Sequence, residues 1–302
     1  MNPARVHESQ TPEALEAELA ASLEQHFVPP KFLYTSSRQS ELWLELHQQC
    51  APTAALGAPY LEAAPHLPRK IQSLVSLGCG GGEKEISILQ AIDQDIIFIP
   101  TDVSEPLAQT AAQAASASNI RTGTPLIFDL AAADDAAEFL SPHAPEPRLF
   151  TFFGIIPNFP PTLILPRVRS LMGNDDYLLA SANLAPHGME PILPQYDNLP
   201  TRRWLEQFLI EHEITDGTLQ IDIHRQNNLE WFQADYVFEA DTATSIGGRN
   251  IEYKSGDALQ LFISHRYTPE SASAVFAEHG LHIERTFLSE NREEGVFLCR
   301  PQ

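Results

Sequence analysis

The residues most able to do chemistry lie in Leu74-Val-Ser-Leu-Gly-Cys-Gly-Gly-Gly-Glu-Lys84. An apolar run of buried-strand character enters a turn with glycines at 78, 80, 81 and 82, and an amphipathic segment leaves it. Glycine allows positive φ and a close approach of backbone to a ligand, and the helix that follows offers unpaired N–H groups at its N-terminus. This is the pattern of a nucleotide-cofactor loop, with Gly78, Gly80 and Lys84 as candidate contacts. A second apolar run, Ile96-Ile-Phe-Ile-Pro-Thr-Asp102, reads as a strand ending in a carboxylate. It falls about twenty residues after the loop, where a ribose diol needs an acceptor. Sites for S-adenosylmethionine and for NAD both use this arrangement.

Each further candidate has a structural alternative. Asp102 also suits the N-cap of the helix introduced by Val103-Ser-Glu-Pro106. Asp129, in Phe128-Asp129-Leu130, closes a third strand and could accept from an adenine amino group with Leu130 against the ring. Its alternative is a turn residue before Asp134-Asp135. Lys84 in a helix's first turn opposes the macrodipole, which suggests a ligand carboxylate or else a solvated lysine. Asn158 sits in Phe152-Phe-Gly-Ile-Ile-Pro-Asn-Phe-Pro-Pro161, where prolines stiffen the backbone and aim the carboxamide. That carboxamide could hold a substrate amine with its lone pair toward an electrophilic methyl group, or simply close an Asx turn. The eleven histidines show no metal-ligand spacing, so no metal is assigned. No Gly-x-Ser-x-Gly elbow and no phosphate-loop Gly-Lys-Ser/Thr signature occurs.

Positioning such residues requires a regular scaffold, and the pattern supplies one. Strands are expected at 73–77, 96–101, 125–128, 148–155 and 176–182, with helices near 83–93 and 104–116. Alternating buried strands and helices define an α/β, doubly wound, mostly parallel sheet. Thr11-Pro-Glu13 starts a helix over about 12–27, and 39–49 is helical by spacing. The texture changes near 190: a helix at 201–213 precedes alternating strands at 219–225, 230–239 and 257–265, the mark of an antiparallel sheet. Thr268-Pro-Glu270 caps another helix that Gly280 stops, and strands 282–288 and 295–300 end the chain.

The bulk numbers narrow the partners. A chain of 302 residues with 43% apolar content builds a sizeable core. Lys+Arg 19 against Asp+Glu 40 gives a net charge of −21, which repels nucleic acid and anionic membranes. Three cysteines, at 50, 79 and 299, form no close pair, and the N-terminal sequence lacks a signal-peptide pattern. No apolar run reaches membrane-spanning length. The expectation is a cytoplasmic protein with a small-molecule partner.

Five segments occur in an order that resembles a known family: Pro30-Lys-Phe-Leu-Tyr34, Leu77-Gly-Cys-Gly-Gly-Gly-Glu-Lys84, Pro100-Thr-Asp-Val-Ser104, Phe153-Gly-Ile-Ile-Pro-Asn158-Phe and Ser264-His-Arg-Tyr-Thr-Pro269. The chain resembles the histidine N-alpha-methyltransferases of ergothioneine biosynthesis, a family that includes fungal dimethylallyltryptophan N-methyltransferases. The resemblance implies a Rossmann-like domain that binds S-adenosylmethionine, and a second α+β domain that recognises substrate. On that reading 1–58 begins the substrate domain, 59–189 is the cofactor domain, 190–266 completes the substrate domain and 267–302 returns to the cofactor domain. Tyr34, Gly78, Gly80, Lys84, Asp102, Asp129 and Leu130 would surround the cofactor. Asn158 and Ser264 would hold the substrate, with Asn158 and Tyr34 closest to the chemistry.

Two departures bear on the substrate. Two residues before Ser264 the histidine enzymes carry an acidic side chain that bonds the imidazole, and here Phe262 stands. Losing that charge-assisted bond costs a histidine site roughly 1.5–3 kcal/mol. Gln48-Gln-Cys-Ala-Pro-Thr53 also lies where the family has Tyr-Tyr-Pro-Thr, so Cys50 or Ala51 replaces a substrate-facing tyrosine, for which Tyr196 could compensate. The expected activity is methyl transfer to the amine of a small molecule, an amino acid or derivative other than histidine. Histidine itself, a non-catalytic cofactor-binding module and an NAD-dependent oxidoreductase are the alternatives.

Overall fold

The computed structural model describes residues 3–50, 58–92 and 94–302, except the side chains of 44 and 47–50. Along the chain, β1 (Arg5–Val6) precedes α1 (Pro12–Glu24), α2 (Ser37–Cys50) and α3 (Ala58–Ala63). Then come β2 (Ser73–Leu77), α4 (Glu83–Ala91), β3 (Ile97–Asp102), α5 (Glu105–Ala117), β4 (Leu126–Ile127), α6 (Ala136–Leu140), β5 (Arg148–Phe152), α7 (Pro161–Leu171) and β6 (Tyr177–Asn183). The next stretch holds α8 (Leu193–Tyr196), α9 (Leu199–Glu211), β7 (Gly217–Gln226), β8 (Leu229–Phe238), β9 (Thr242–Ile246), β10 (Arg249–Tyr253) and β11 (Ala258–Arg266). The chain ends with α10 (Pro269–Glu278), β12 (Leu281–Leu288) and β13 (Glu294–Pro301).

These elements form two units. The first takes the described residues of 1–11, 54–186 and 267–302, and the second those of 12–53 and 187–266. Residues 3–11 therefore lie in the first unit, whereas the sequence reading placed 1–58 in the second. The reason is pairing: β1 runs parallel to β4, with Arg5 opposite Leu126.

The first unit is an eight-stranded sheet in the order β1-β4-β3-β2-β5-β6-β13-β12. It is parallel from β1 to β6, and β13 enters antiparallel to β6. The centre is mostly apolar, with a few buried polar side chains such as Ser76, Thr151 and Arg148. β2 and β5 are fully buried, as strands covered on both faces must be. The order reverses at β2, so the ends of β2, β3 and β5 flank the crevice where such sheets bind ligands. β5 stops at Phe152 rather than residue 155, because Gly154 turns the chain at φ +74°. The sequence reading gave no helix at α7, whose Pro166 is a poor helix former. Burial of Ile164, Leu165, Val168 and Leu171 offsets that cost.

The second unit contains the antiparallel sheet β11-β8-β7, packed on one face against α9. A bulge between Gln260 and Phe262 shifts the phase of β11. Leu259 opposes Tyr236 before it, and Phe262, Ser264 and Arg266 oppose Ala234, Phe232 and Glu230 after it. Alternation then puts Leu259, Phe262, Ser264 and Arg266 on one face. The hairpin β9–β10 turns at Gly247-Gly248, both with positive φ. Among the described residues, no helix is long and apolar enough to cross a membrane.

Candidate active site

The glycine loop folds as its composition requires. Gly78 has φ +72°, and a Cβ there would meet Ile155 Cδ1 at 2.0 Å, so both torsion and space demand glycine. Gly82, at φ +78°, is the N-cap of α4. The N–H groups of Gly78 and Cys79 donate to the Thr101 carbonyl at 3.0 and 2.9 Å, tying the loop to the end of β3. A Cβ on Gly80 would meet nothing within 4 Å, so the loop is open on that side to a ligand.

Asp102 closes β3 beneath this loop. Its Oδ2 accepts from Gly80 N–H at 3.0 Å and its Oδ1 from Ser104 N–H at 2.9 Å. It is not the cap of α5, which is Ser104; it forms an Asx turn one step earlier. With 7% exposure, burial pushes its carboxyl pKa up, against the downward pull of backbone donors from Ser104, Gly80 and Val103. An anion buried on backbone donors keeps lone pairs for a diol.

Lys84 is half-buried in the first turn of α4 and has protein partners. Its Nζ donates to the Tyr60 hydroxyl at 2.9 Å and lies 4.5 Å from that ring's centroid and 5.8 Å from that of Phe153. Tyr60 in turn donates to Glu294 Oε1. Burial, then the Glu294 charge, pushes the Tyr60 phenol well above its ordinary range. These partners come from α3 and β13.

Asp129 is buried, and its Oδ1 accepts from Ala131 N–H at 2.8 Å, with Leu130 buried beside it. This is the turn geometry of the alternative reading, but inside the protein rather than on its surface. Asn158 ends a 3-10 turn after β5, its N–H on the Ile155 carbonyl at 2.9 Å. Among the described residues its half-buried carboxamide makes no hydrogen bond within the protein, which leaves it available to a ligand.

Sequence reasoning missed Glu85. It is 3% exposed under the loop, and its Oε1 accepts from Ser76 Oγ at 2.8 Å and Thr151 Oγ1 at 3.0 Å, joining β2 to β5. Burial raises its pKa, so the folded state holds its proton more tightly than the unfolded chain does. The Glu85 contribution to stability therefore falls as pH rises from the ordinary carboxylate range, near 4.3, through the raised folded value. Glu85→Gln keeps the accepting oxygen and removes the titration. Melting curves between pH 4 and 8 are expected to show a flatter pH dependence in the variant, and an unchanged slope would contradict the assignment.

The second unit brings Tyr34, Tyr196, Phe262 and Ser264 into one aromatic array. Tyr34 lies 5.7 Å from Trp43 and 5.5 Å from Trp204 between ring centroids, and burial raises its pKa. Trp204, fixed by its Nε1–H on the Leu33 carbonyl at 3.0 Å, meets Phe262 edge-on at 5.6 Å. Tyr196 stacks on Phe232 at 4.1 Å, and its hydroxyl lies 2.8 Å from Ser264 Oγ. Arg266, absent from the sequence-based set, donates from Nη2 to the Tyr196 hydroxyl at 3.0 Å. Its signal was its spacing: 262, 264 and 266 alternate on one strand face. The Cys50 side chain and Ala51 lie outside the described residues.

The doubly wound sheet, glycine loop and acid at the end of the next strand suit an S-adenosylmethionine-dependent methyltransferase, and the family match over residues 15–301 establishes that class. The structure of the mitomycin 7-O-methyltransferase MmcR shares the fold, with 12% identity, 97% of this chain and 70% of that one covered, and a TM-score of 0.51. A Burkholderia thailandensis 1,6-didemethyltoxoflavin-N1-methyltransferase has 13% identity, coverage of 97% and 92%, and a TM-score of 0.48. The magnesium protoporphyrin IX methyltransferase ChlM from Synechocystis has 13% identity, coverage of 89% and 97%, and a TM-score of 0.48. No curated protein sequence matches the chain significantly. The family described as histidine-specific methyltransferase, SAM-dependent, matches residues 15–301, and the chain belongs to that family.

Proposed function

We propose that the protein transfers the methyl group of S-adenosylmethionine to the amine of a small molecule, an amino acid or derivative whose side chain is apolar or aromatic rather than imidazole. The observation that carries this reading is Phe262, packed between Trp204 and Tyr196 on the strand face that also bears Ser264. A phenyl edge cannot accept the imidazole N–H, and among the described residues no carboxylate hydrogen-bonds to Ser264 or Tyr196. The dimethylallyltryptophan branch of the resemblance fits the same apolar setting.

In this reading Gly78, Gly80, Lys84, Asp102, Asp129 and Leu130 hold the cofactor. The sulfonium is itself the electrophile, so the protein supplies alignment, exclusion of water and a neutral amine. The family resemblance assigns the amine to Asn158, and within the second unit it assigns the substrate's side chain to the array of Tyr34, Tyr196, Phe262 and Ser264. The acidic net charge and the sparse cysteines, with no close pair in the sequence, support a cytoplasmic setting without nucleic-acid or membrane partners.

Histidine stays as the second reading because the family model is histidine-specific and Ser264 is present. The test incubates the purified protein with S-adenosylmethionine and a panel of amino acids and aromatic amines, reading methylated product and S-adenosylhomocysteine by mass spectrometry. Aromatic amino acids are expected to be methylated in preference to histidine. Phe262→Glu, which restores the missing acceptor, is expected to raise kcat/KM for histidine about 10- to 100-fold. Trimethylated histidine as the main product of the unaltered protein would overturn the reading.

A further inference from the structure

We propose that Arg266 is a positioning residue: it orders a hydroxyl relay through Tyr196 to Ser264, and the relay selects substrates whose side chain ends in a hydrogen-bond acceptor that carries no proton. The proposal rests on the amine-methylating reading above and specifies the substrate class for that pocket.

The geometry points to this through a count of protons. The Arg266 guanidinium only donates, and its Nη2 lies 3.0 Å from the Tyr196 oxygen, so a lone pair of that oxygen is taken. The same guanidinium carbon is 5.4 Å from the Tyr196 ring centroid, and the ring's placement is fixed further by its stack on Phe232, tilted by 21°. Tyr196 and Ser264 are 2.8 Å apart, and that contact uses one of their two hydroxyl protons. The phenol is the better donor, because it is the more acidic group and its lone pair is delocalised into the ring. The guanidinium bond polarises it further in the same direction. Tyr196 therefore donates to Ser264, and the serine proton is the one left over.

That proton has no acceptor among the described residues, and Ser264 is 1% exposed. A buried hydroxyl proton without a partner is costly until a ligand supplies one. Phe262 flanks it on the same strand face and offers no polar atom. The site thus presents one O–H donor inside an aromatic wall. A carbonyl or ether oxygen on an aryl side chain satisfies it completely. A neutral imidazole satisfies it with one nitrogen and leaves the other N–H facing phenyl carbon.

Isothermal titration in the presence of S-adenosylhomocysteine tests the relay without requiring turnover. The probes are 3- and 4-acetyl-L-phenylalanine, each compared with its planar hydrocarbon isostere, 3- or 4-isopropenyl-L-phenylalanine. One acetyl compound is expected to bind about tenfold more tightly than its isostere. Ser264→Ala and Arg266→Met are expected to bring that ratio close to one. Arg266→Lys, which keeps a donor, retains part of the preference. A purely structural Arg266 would weaken both probes equally. Thermal melts check that each variant folds, and Ser264→Ala alone suffices if Arg266→Met does not.

A ratio near one in the unaltered protein, an unchanged ratio in Ser264→Ala, or no binding of any probe overturns the proposal. Methylation of amines with a ratio of one rejects the relay and leaves the transferase reading standing. A tenfold ratio with no amine methylated supports the relay and rejects that reading.

Discussion

Asp102→Ala is expected to lower affinity for S-adenosylmethionine by two to four orders of magnitude, a loss to be read by titration calorimetry once a melting curve has checked that the variant folds. The size follows from what the carboxylate does. Its two oxygens hold Gly80 N–H at 3.0 Å and Ser104 N–H at 2.9 Å, so the loop loses one of its tethers to β3. In the proposed reading the same oxygens also accept from the ribose diol. Two bonds to a charged acceptor at about 1.5–3 kcal/mol each give about 3–6 kcal/mol, or roughly 10²- to 10⁴-fold. Asp102→Asn keeps one accepting oxygen and falls between. A pH profile gives a second check. Burial raises the Asp102 pKa, and a diol favours the ionised form, so cofactor affinity weakens as pH falls. The weakening begins above the ordinary aspartate value of about 3.9 and is absent in Asp102→Asn. A loss below tenfold in Asp102→Ala would remove Asp102 from the site.

Arg148→Met is expected to cause a large loss of stability. Arg148 and Asp176, with side chains 6% and 2% exposed, are joined through Nη2 at 2.7 Å and Nε at 2.9 Å. Asp176 also takes the N–H groups of Arg148 and Gly173 at 2.7 and 2.8 Å, which staples the start of β5 to the turn before β6. Removing the guanidinium leaves a buried, uncompensated carboxylate, at a cost of about 3–5 kcal/mol. For a chain of this size the melting temperature drops by roughly 10 °C. Arg148→Met combined with Asp176→Leu recovers much of the loss, because the orphaned charge is gone. The single variant melting within about 2 °C of the parent would show the pair to be solvated.

The parts of the fold with strong local signals were legible. The glycine loop, the strands around it and the antiparallel run 217–266 announce themselves through apolar runs, glycine positions and period-two alternation. The cap of α10 was legible too: Thr268 Oγ1 accepts from Ser271 N–H at 3.1 Å. What stayed hidden depends on distant partners. Pro166 masked α7, which is stabilised by burial rather than propensity. Glu85 looks like an ordinary first-turn acid, and only the hydroxyls of Ser76 and Thr151 make it internal. The Lys84–Tyr60–Glu294 chain spans 234 positions between its last two members. Tyr196 and Ser264, 68 apart, came together on paper only through a family resemblance, and Arg266 not at all.

The way the chain passes between its two units has a consequence for synthesis. The segment 187–266 leaves the first unit after β6, and the chain re-enters only at 267 to supply β12 and β13. A ribosome therefore delivers every strand of the second unit while the first still presents β6 as a bare edge. That edge carries Leu178, Leu179 and Ala180, which become fully buried only later. Unpaired apolar edges of this kind are where nascent chains associate wrongly. The last 36 residues, far from the glycine loop in sequence, thus supply the strands that cover this edge of the cofactor half.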